Sequence, residues 1–254
     1  MKKYRVSGVS YLNSIPMIHG LTQSLKVMEN TELTLDTPNI CAEKLMTHKA
    51  DIGLVPVGAL LDMDYYQIIS DCCIGAFGNV RTVVLASNVP IEQIETIVLD
   101  PFSRTSNLLL QILAKEFWKK DFHFYKGMPE FENKDIKNTT AAVVIGDKVF
   151  SIEKKYTYII DLSNEWLKFT GLPFVFAVWA ATSDIDIEYI SDFNQAVMQG
   201  ARAVDDAIDN YPQQINISRE EKASYLHHNI DFDFDEKKKT ALSLFHQMAK
   251  EIKA

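Results

Sequence analysis

The chain is short of the residues that would announce a disulfide scaffold, a metal centre or a nucleic-acid surface. Its three cysteines, Cys41, Cys72 and Cys73, are odd in number with two adjacent, which builds no disulfide framework and suits a reducing compartment. They read as buried apolar residues, because a catalytic thiol needs a nearby base and an electropositive setting that the local sequence does not supply. The six histidines show no metal-ligand spacing, and the adjacent His227 and His228 face different directions on a helix. Basic residues are in deficit: 26 Lys and Arg against 34 Asp and Glu give a formal net charge of -8. That balance argues against a general nucleic-acid binder and against a protein that coats anionic membranes. A small anionic ligand is still compatible, since a few local donors outweigh a distant negative surface.

Long apolar runs are missing too. The longest, Phe174-Val-Phe-Ala-Val-Trp-Ala-Ala181, is far short of the ~20 residues that cross a bilayer and reads as a buried strand. Met1-Lys-Lys resembles the basic start of a signal peptide, but Tyr4-Arg-Val-Ser-Gly-Val-Ser lacks the apolar core that export needs, so a cytoplasmic protein is expected. There is no Gly-rich phosphate loop with Lys-Ser/Thr, no dinucleotide fingerprint and no nucleophile elbow. No cofactor and no metal are expected, only a small-molecule ligand.

What is present is an α/β pattern. With 254 residues, 47% of them hydrophobic and 24% charged, the chain fits one large domain or two modest ones. Periodicity predicts strands at 4–10, 32–36, 51–57, 66–70, 80–86, 96–100, 122–125, 141–145, 158–161 and 172–181. Helices are predicted from 15, at 40–48, at 105–118 and at 165–169. "CCIGAFGN" reads as a Gly-bearing loop. Beyond Asp184 only helices are predicted, at 187–209, 218–227 and 235–252, with solvated charge runs such as Asp235-Glu-Lys-Lys-Lys239. Alternating strands and helices favour parallel sheets that bind ligands beyond the carboxyl ends of their strands. That rule selects Asn13-Ser14, Pro56-Val57, Asp100 to Ser106 and Gly146-Asp147.

Each of these has a plain alternative. In "SYLNSIP" a polar pair followed by Pro16 is either a strand-to-helix joint or a joint that also points into a site. In "LDPFSRTSNLLLQIL", Ser103, Thr105 and Ser106 with Arg104 precede a strongly apolar helix. One hydroxyl is enough for a cap, so a simple cap and a carboxylate or phosphate site both stay open. Arg81 could fork a carboxylate beside the Thr82 hydroxyl, or face solvent on a strand. Gly146-Asp147 is a turn with a helix cap, with or without a ligand.

In order and spacing, "YLNSIP", "ADIGLVPV", "GNVRTVVLAS", "LDPFSRTS", "VVIGD" and "DLSNEWLKFTGLPFVFAVWA" together resemble the menaquinone-biosynthesis chorismate dehydratases of the futalosine route, relatives of type II periplasmic solute-binding proteins. The closing "YLHHNIDFDFDEKKKTALSLFHQMAKEI" fits as well, so the resemblance covers nearly the full chain. It implies a two-lobed α/β fold with an interlobe cleft and a helical C-terminal segment. Lobe one would be 1–86 with 176–254 and lobe two 87–175, with crossings near 85–90 and 173–179. The sister branch, which makes dihydroxynaphthoate, typically carries a Ser-Pro-Cys-Pro-Asn-Asp-like segment where this chain has Tyr-Leu-Asn-Ser, and that difference selects the dehydratase branch.

The implied reaction is loss of water from chorismate to give 3-[(1-carboxyvinyl)oxy]benzoate. The resemblance makes Asn13 the central catalytic group. Ser14, Arg81, Thr82, Ser103, Thr105, Ser106, Gly146 and Asp147 are then the substrate-binding residues. Where the family often has Gly-Pro-Val, a basic residue and Ser, this chain has Gly78-Asn-Val-Arg-Thr82. A non-catalytic binding protein of the same architecture, closing on a small carboxylate, is the reading from another class.

Overall fold

The computed structural model describes residues 3–210 and 215–253. The chain starts with β1 (Tyr4–Val9), α1 (Ile15–Gln23), α2 (Leu25–Met28), β2 (Thr31–Asp36), α3 (Pro38–Met46), β3 (Ile52–Pro56) and β4 (Gln67–Ala76). It continues with β5 (Val83–Ser87), β6 (Thr96–Leu99), α4 (Arg104–Ile112), β7 (His123–Lys126), α5 (Phe131–Lys134), β8 (Thr140–Ile145), α6 (Val149–Ile152), β9 (Tyr158–Asp161) and α7 (Leu162–Thr170). Then come β10 (Phe174–Ala181), α8 (Ile187–Arg202), α9 (Val204–Asp209), α10 (Arg219–His228), β11 (Asp231–Asp233) and α11 (Glu236–Lys253). The expected helix at 187–209 is thus two helices, with Ala203 (φ -103°, ψ 46°) between them. Among the described residues no helix is long and apolar enough to cross a membrane.

Two sheets divide these strands, one in the order β11-β4-β10-β3-β1-β2 and the other β7-β6-β8-β5-β9. Both are mixed rather than all-parallel. In the first, β1 pairs parallel with β2 and β3, while β10 lies antiparallel to β3 and to β4. The second has β6 parallel to β7 and β8, with β5 antiparallel to β8 and β9. Antiparallel members follow from the path: a strand arriving from the other sheet enters from the cleft side. All eight residues of β10 are buried, which is why its sequence is a continuous apolar run rather than an alternation.

The chain passes between the sheets at 77–82, before β5, and at 171–173, before β10. Leu85 pairs with Val143 and Ile160 inside the second sheet, so both passages precede the segments expected from sequence. Local signals explain the helix ends well. Asp161 accepts hydrogen bonds from Ser163 and Asn164 at the start of α7, which stops at left-handed Gly171. Asp186 caps α8 and Ser218 caps α10 in the same way.

Two expectations need correction. "CCIGAFGN" is not a loop up to Gly78: β4 runs through Cys72, Cys73 and Gly75 to Ala76. A Cβ on Gly75 would stand 2.9 Å from Lys238 Cε, so this glycine makes room for a buried lysine stem instead of punctuating the strand. Nor is the region beyond Asp184 purely helical, since β11 pairs antiparallel with β4. The alternation in Asp231-Phe-Asp-Phe-Asp235 carries that signal.

Helix α1, which continues from the Asn13 turn, is held by an unusually close crossing with α8. A Cβ built on Gly200 would lie 2.1 Å from Pro16 O and 2.7 Å from Gly20 Cα. These are backbone atoms and cannot swing aside. Gly200→Ala should therefore destabilise the protein by about 1–3 kcal/mol, seen as a lower denaturant midpoint with an unchanged slope. An unmoved midpoint would contradict the close crossing.

Candidate functional site

The first wall of the cleft forms where β1 ends. Residues Leu12–Ser14 make one tight 3-10 turn that runs directly into α1, with Pro16 in the first helical turn. Ser14, fully buried, donates its hydroxyl to Val9 O at 2.5 Å and Tyr11 O at 2.7 Å. It therefore holds the turn and is not among the residues that line the cavity. Its neighbour Asn13 is. The joint and the site expected of "SYLNSIP" are both present, divided between adjacent residues.

The second wall forms where β6 ends. Asp100 Oδ1 accepts from Phe102 N at 2.9 Å, and the Asn107 side chain bridges Asp100 N and O at 3.1 and 2.8 Å. Ser103 then caps α4 by accepting from Ser106 N at 3.2 Å. Thr105 Oγ1 accepts the Gly58 N–H at 2.9 Å from across the cleft. Ser106 lines the cavity with a hydroxyl that no other described residue engages. Arg104 points away and pairs with Asp62 at 2.8 Å.

Between the walls, Asn13, Thr82, Ser103, Thr105, Ser106 and Gly146 line a single cavity, with Val9, Leu54, Pro56, Ile74 and Phe176 among its apolar sides. Among the described residues no Lys or Arg lines it. Its volume is about 70 Å³, small beside the roughly 300 Å³ or more of pockets that enclose drug-sized ligands. The lobes stand closed, pinned by Gly58 N–H on Thr105 and by Leu12 N–H on both oxygens of Asp147 at 3.2 Å.

Three expected residues sit elsewhere. Ser14 is structural, as described. Arg81, at φ +63°, does fork a carboxylate, but that of Glu153, at 2.7 and 3.1 Å. It also pairs with Glu221 and lies 4.9 Å from the Phe150 ring centre. These partners are 72 and 140 residues away in sequence, so no local pattern could reveal them. Arg81 does not line the cavity. Asp147 lies in a neighbouring depression with Tyr11, Phe102, Phe131 and Lys148. Burial pushes its carboxyl up to about 6, opposed by the Leu12 N–H and by Lys222.

Sequence reasoning missed Tyr11 and Tyr225. The Tyr11 ring lies against Gly146 and lines both the cavity and the depression; burial, then Asp100 and Asp147, raise its hydroxyl to about 12. Tyr225 is fully buried, and its hydroxyl lies 2.7 Å from Thr82 Oγ1. The sign available was an aromatic-aliphatic pair, Tyr225-Leu226, on an otherwise charged helix.

Two lobes, a deep cleft and ligand-sized polar turns on both walls define the class of periplasmic-binding-protein-like folds. The structure is similar to protein AF1704 from Archaeoglobus fulgidus (TM-score 0.77, 18% identity, covering 99% of this chain and 98% of that one). It is also similar to the Candida albicans CA3427 gene product, described as having the generic periplasmic binding protein fold (0.70, 14%, 99% and 91%). A third likeness is to the periplasmic aliphatic sulphonate binding protein SsuA from Escherichia coli (0.57, 14%, 100% and 92%). Within that class the chain belongs to the menaquinone biosynthesis family, whose sequence model matches residues 4–251. Its role therefore lies in menaquinone synthesis.

The Asp147 contact has a pH signature. Its folded-state value, about 6, lies above the ordinary carboxylate value of 3.8. The neutral carboxyl is thus favoured by folding at low pH, and that advantage is lost as pH rises from about 4 through 6. Relative to wild type, Asp147→Asn should gain on the order of 2 kcal/mol between pH 4 and pH 7. Denaturant unfolding of both proteins at the two pH values reads this difference, and a pH-independent gap would contradict it.

Proposed function

We propose that the protein is a chorismate dehydratase, a carbon-oxygen lyase that eliminates water from chorismate to give 3-[(1-carboxyvinyl)oxy]benzoate. The observation that carries this reading is Asn13 on one wall facing Thr105 and Ser106, at a helix start, on the other. Apolar sides between them suit a six-membered ring, and the helix start with its hydroxyls suits a carboxylate.

In this reading Ser106, Thr105 and the Gly58 N–H hold one carboxylate of the substrate, and Thr82 with Ser103 contacts the remainder. Asn13 hydrogen-bonds at the departing hydroxyl. An amide is not a base at neutral pH, and among the described residues no His or Lys lines the cavity. The enolpyruvyl carboxylate of the substrate then takes the proton from the ring carbon that bears the ether. The C–H pair forms the new ring double bond as the neighbouring C–O bond breaks, and the departing hydroxide takes the proton that the enolpyruvyl carboxylate has accepted and leaves as water, which restores the carboxylate. Aromatisation supplies the driving force, and the protein contributes orientation and donors to the departing oxygen. The family's sister reaction, on cyclic dehypoxanthine futalosine, is disfavoured by Tyr11-Leu-Asn-Ser14 at the first turn.

A non-catalytic carboxylate-binding role rests on the fold alone. Incubating the purified protein with chorismate and following products by mass spectrometry separates the two: the benzoate ether is expected, and binding without conversion would overturn the lyase reading. Asn13→Ala should lower turnover by about 10³-fold or more while moving the unfolding midpoint little, because the turn is held by Ser14. Dehydration at the wild-type rate would remove Asn13 from its role.

A further inference from the structure

One peptide group is gripped at both ends. The Gly58 N–H donates to Thr105 Oγ1 at 2.9 Å on the cavity side, and the Val57 carbonyl of the same peptide accepts from His246 Nε2 at 2.8 Å. His246 stands on α11, half-buried, in the wall of an outer groove that it shares with Ser70, Asn194 and Lys250. It does not line the cavity. The last turn of the same helix reaches the same loop, where Asp62 pairs with Lys253 at 2.6 Å and with Arg104 of α4 at 2.8 Å.

We propose that His246 is a positioning residue of the site: it holds the Val57–Gly58 peptide so that its N–H faces the cleft, and so sets how tightly a carboxylate is bound there. That the carboxylate is the substrate's rests on the dehydratase reading; the hold on the peptide rests on the two hydrogen bonds alone. A carbonyl only accepts, so the His246 proton in this bond is on Nε2. The peptide precedes a glycine, which lets a peptide plane turn over at little steric cost. Glycine is nevertheless required here, because a Cβ on Gly58 would stand 2.9 Å from Thr105 Cα and 3.0 Å from Thr105 N. The close approach that brings the N–H to α4 thus gives up the side chain that would restrain the plane. The flanking N–H groups are secured, that of Val57 on Phe176 O at 3.0 Å and that of Ala59 on Pro56 O at 2.9 Å. Between them, His246 secures the carbonyl end from outside the cavity. A carboxylate that takes the N–H from Thr105 leaves that hold in place, and a donor oriented beforehand costs no reorganisation on binding. An imidazole N–H on the carbonyl also polarises the peptide, which strengthens its N–H as a donor.

His246→Phe keeps a ring and removes the donor, whereas His246→Gln gives up the ring and keeps an N–H at similar reach. In ¹⁵N-labelled protein the assigned Gly58 amide should shift in His246→Phe and exchange with solvent deuterium at least about tenfold faster, while His246→Gln stays within about threefold of wild type. On chorismate, His246→Phe should raise KM about 5- to 20-fold with kcat changed less than about threefold, the pattern of lost uniform binding, and His246→Gln should recover most of the loss. An unmoved Gly58 amide in His246→Phe overturns the proposal whatever the activity. A displaced amide with wild-type KM overturns the link to binding, and an equal rise of KM in both variants overturns the hydrogen bond as its cause. If wild-type protein does not convert chorismate, the dehydratase reading fails while the amide still tests the hold. Should His246→Phe not fold, the wild-type ring decides: ¹⁵N spectra are expected to show a proton on Nε2, and a ring protonated on Nδ1 alone would overturn the proposal.

Discussion

Two backbone N–H groups, those of Leu12 and Gly58, depend on the opposite lobe for their partners. Asp147 accepts the first and Thr105 the second. A buried donor left unpaired costs about 1–3 kcal/mol, so closing the cleft satisfies both and opening it hands them to water. That requirement organises the surrounding turns. The Leu12–Ser14 turn must be rigid enough to aim one N–H at Asp147, which the two hydrogen bonds of Ser14 accomplish. The start of α4 must be square to Gly58, which Asp100, Asn107 and the Ser103 cap accomplish. A ligand carboxylate arriving at Thr105 competes for a donor that is already in place.

The absence of Lys and Arg, among the described residues, from the cavity lining gives this site its character. A dianionic substrate here would be held by hydroxyls, an amide, a backbone N–H and the N-terminal end of α4. In a dry cavity such donors are strong and their positions are fixed before the substrate arrives. In the proposed reaction the substrate's own carboxylate would stay basic, because no Arg among the described residues lines the cavity to quench it, and a substrate-assisted proton transfer would need that. Two of the cations nearby are spent on the fold: Lys148 sits on buried Asp100 at 2.8 Å, and Arg81 on Glu153 and Glu221.

Much of the fold was legible because it is local. The strands at Tyr4–Val9, Thr140–Ile145 and Phe174–Ala181, and caps such as Asp161 with Gly171, follow from periodicity and turn chemistry within a few residues. The placement of β10 between β3 and β4 joins segments about a hundred residues apart, and no window of sequence contains that information. The same division runs through the site. Asn13, Thr82, Ser103, Thr105, Ser106 and Gly146 were found by asking what lies beyond strand ends and by family resemblance, and the structure gathers them round one cavity. Arg81 has the right chemistry and uses it on Glu153. Tyr225 arrives from a helix whose charged sequence advertises a solvent face, and only tertiary packing brings it beneath Thr82.

A crystal structure of the protein with 3-[(1-carboxyvinyl)oxy]benzoate bears most directly on the assignment of this cleft. The ring is expected between Asn13 and the start of α4, with one carboxylate on Thr105 and Ser106 and the Gly58 N–H turned onto it. A ligand held outside the cleft, or in the depression beside Asp147 with Asn13 untouched, would contradict that assignment.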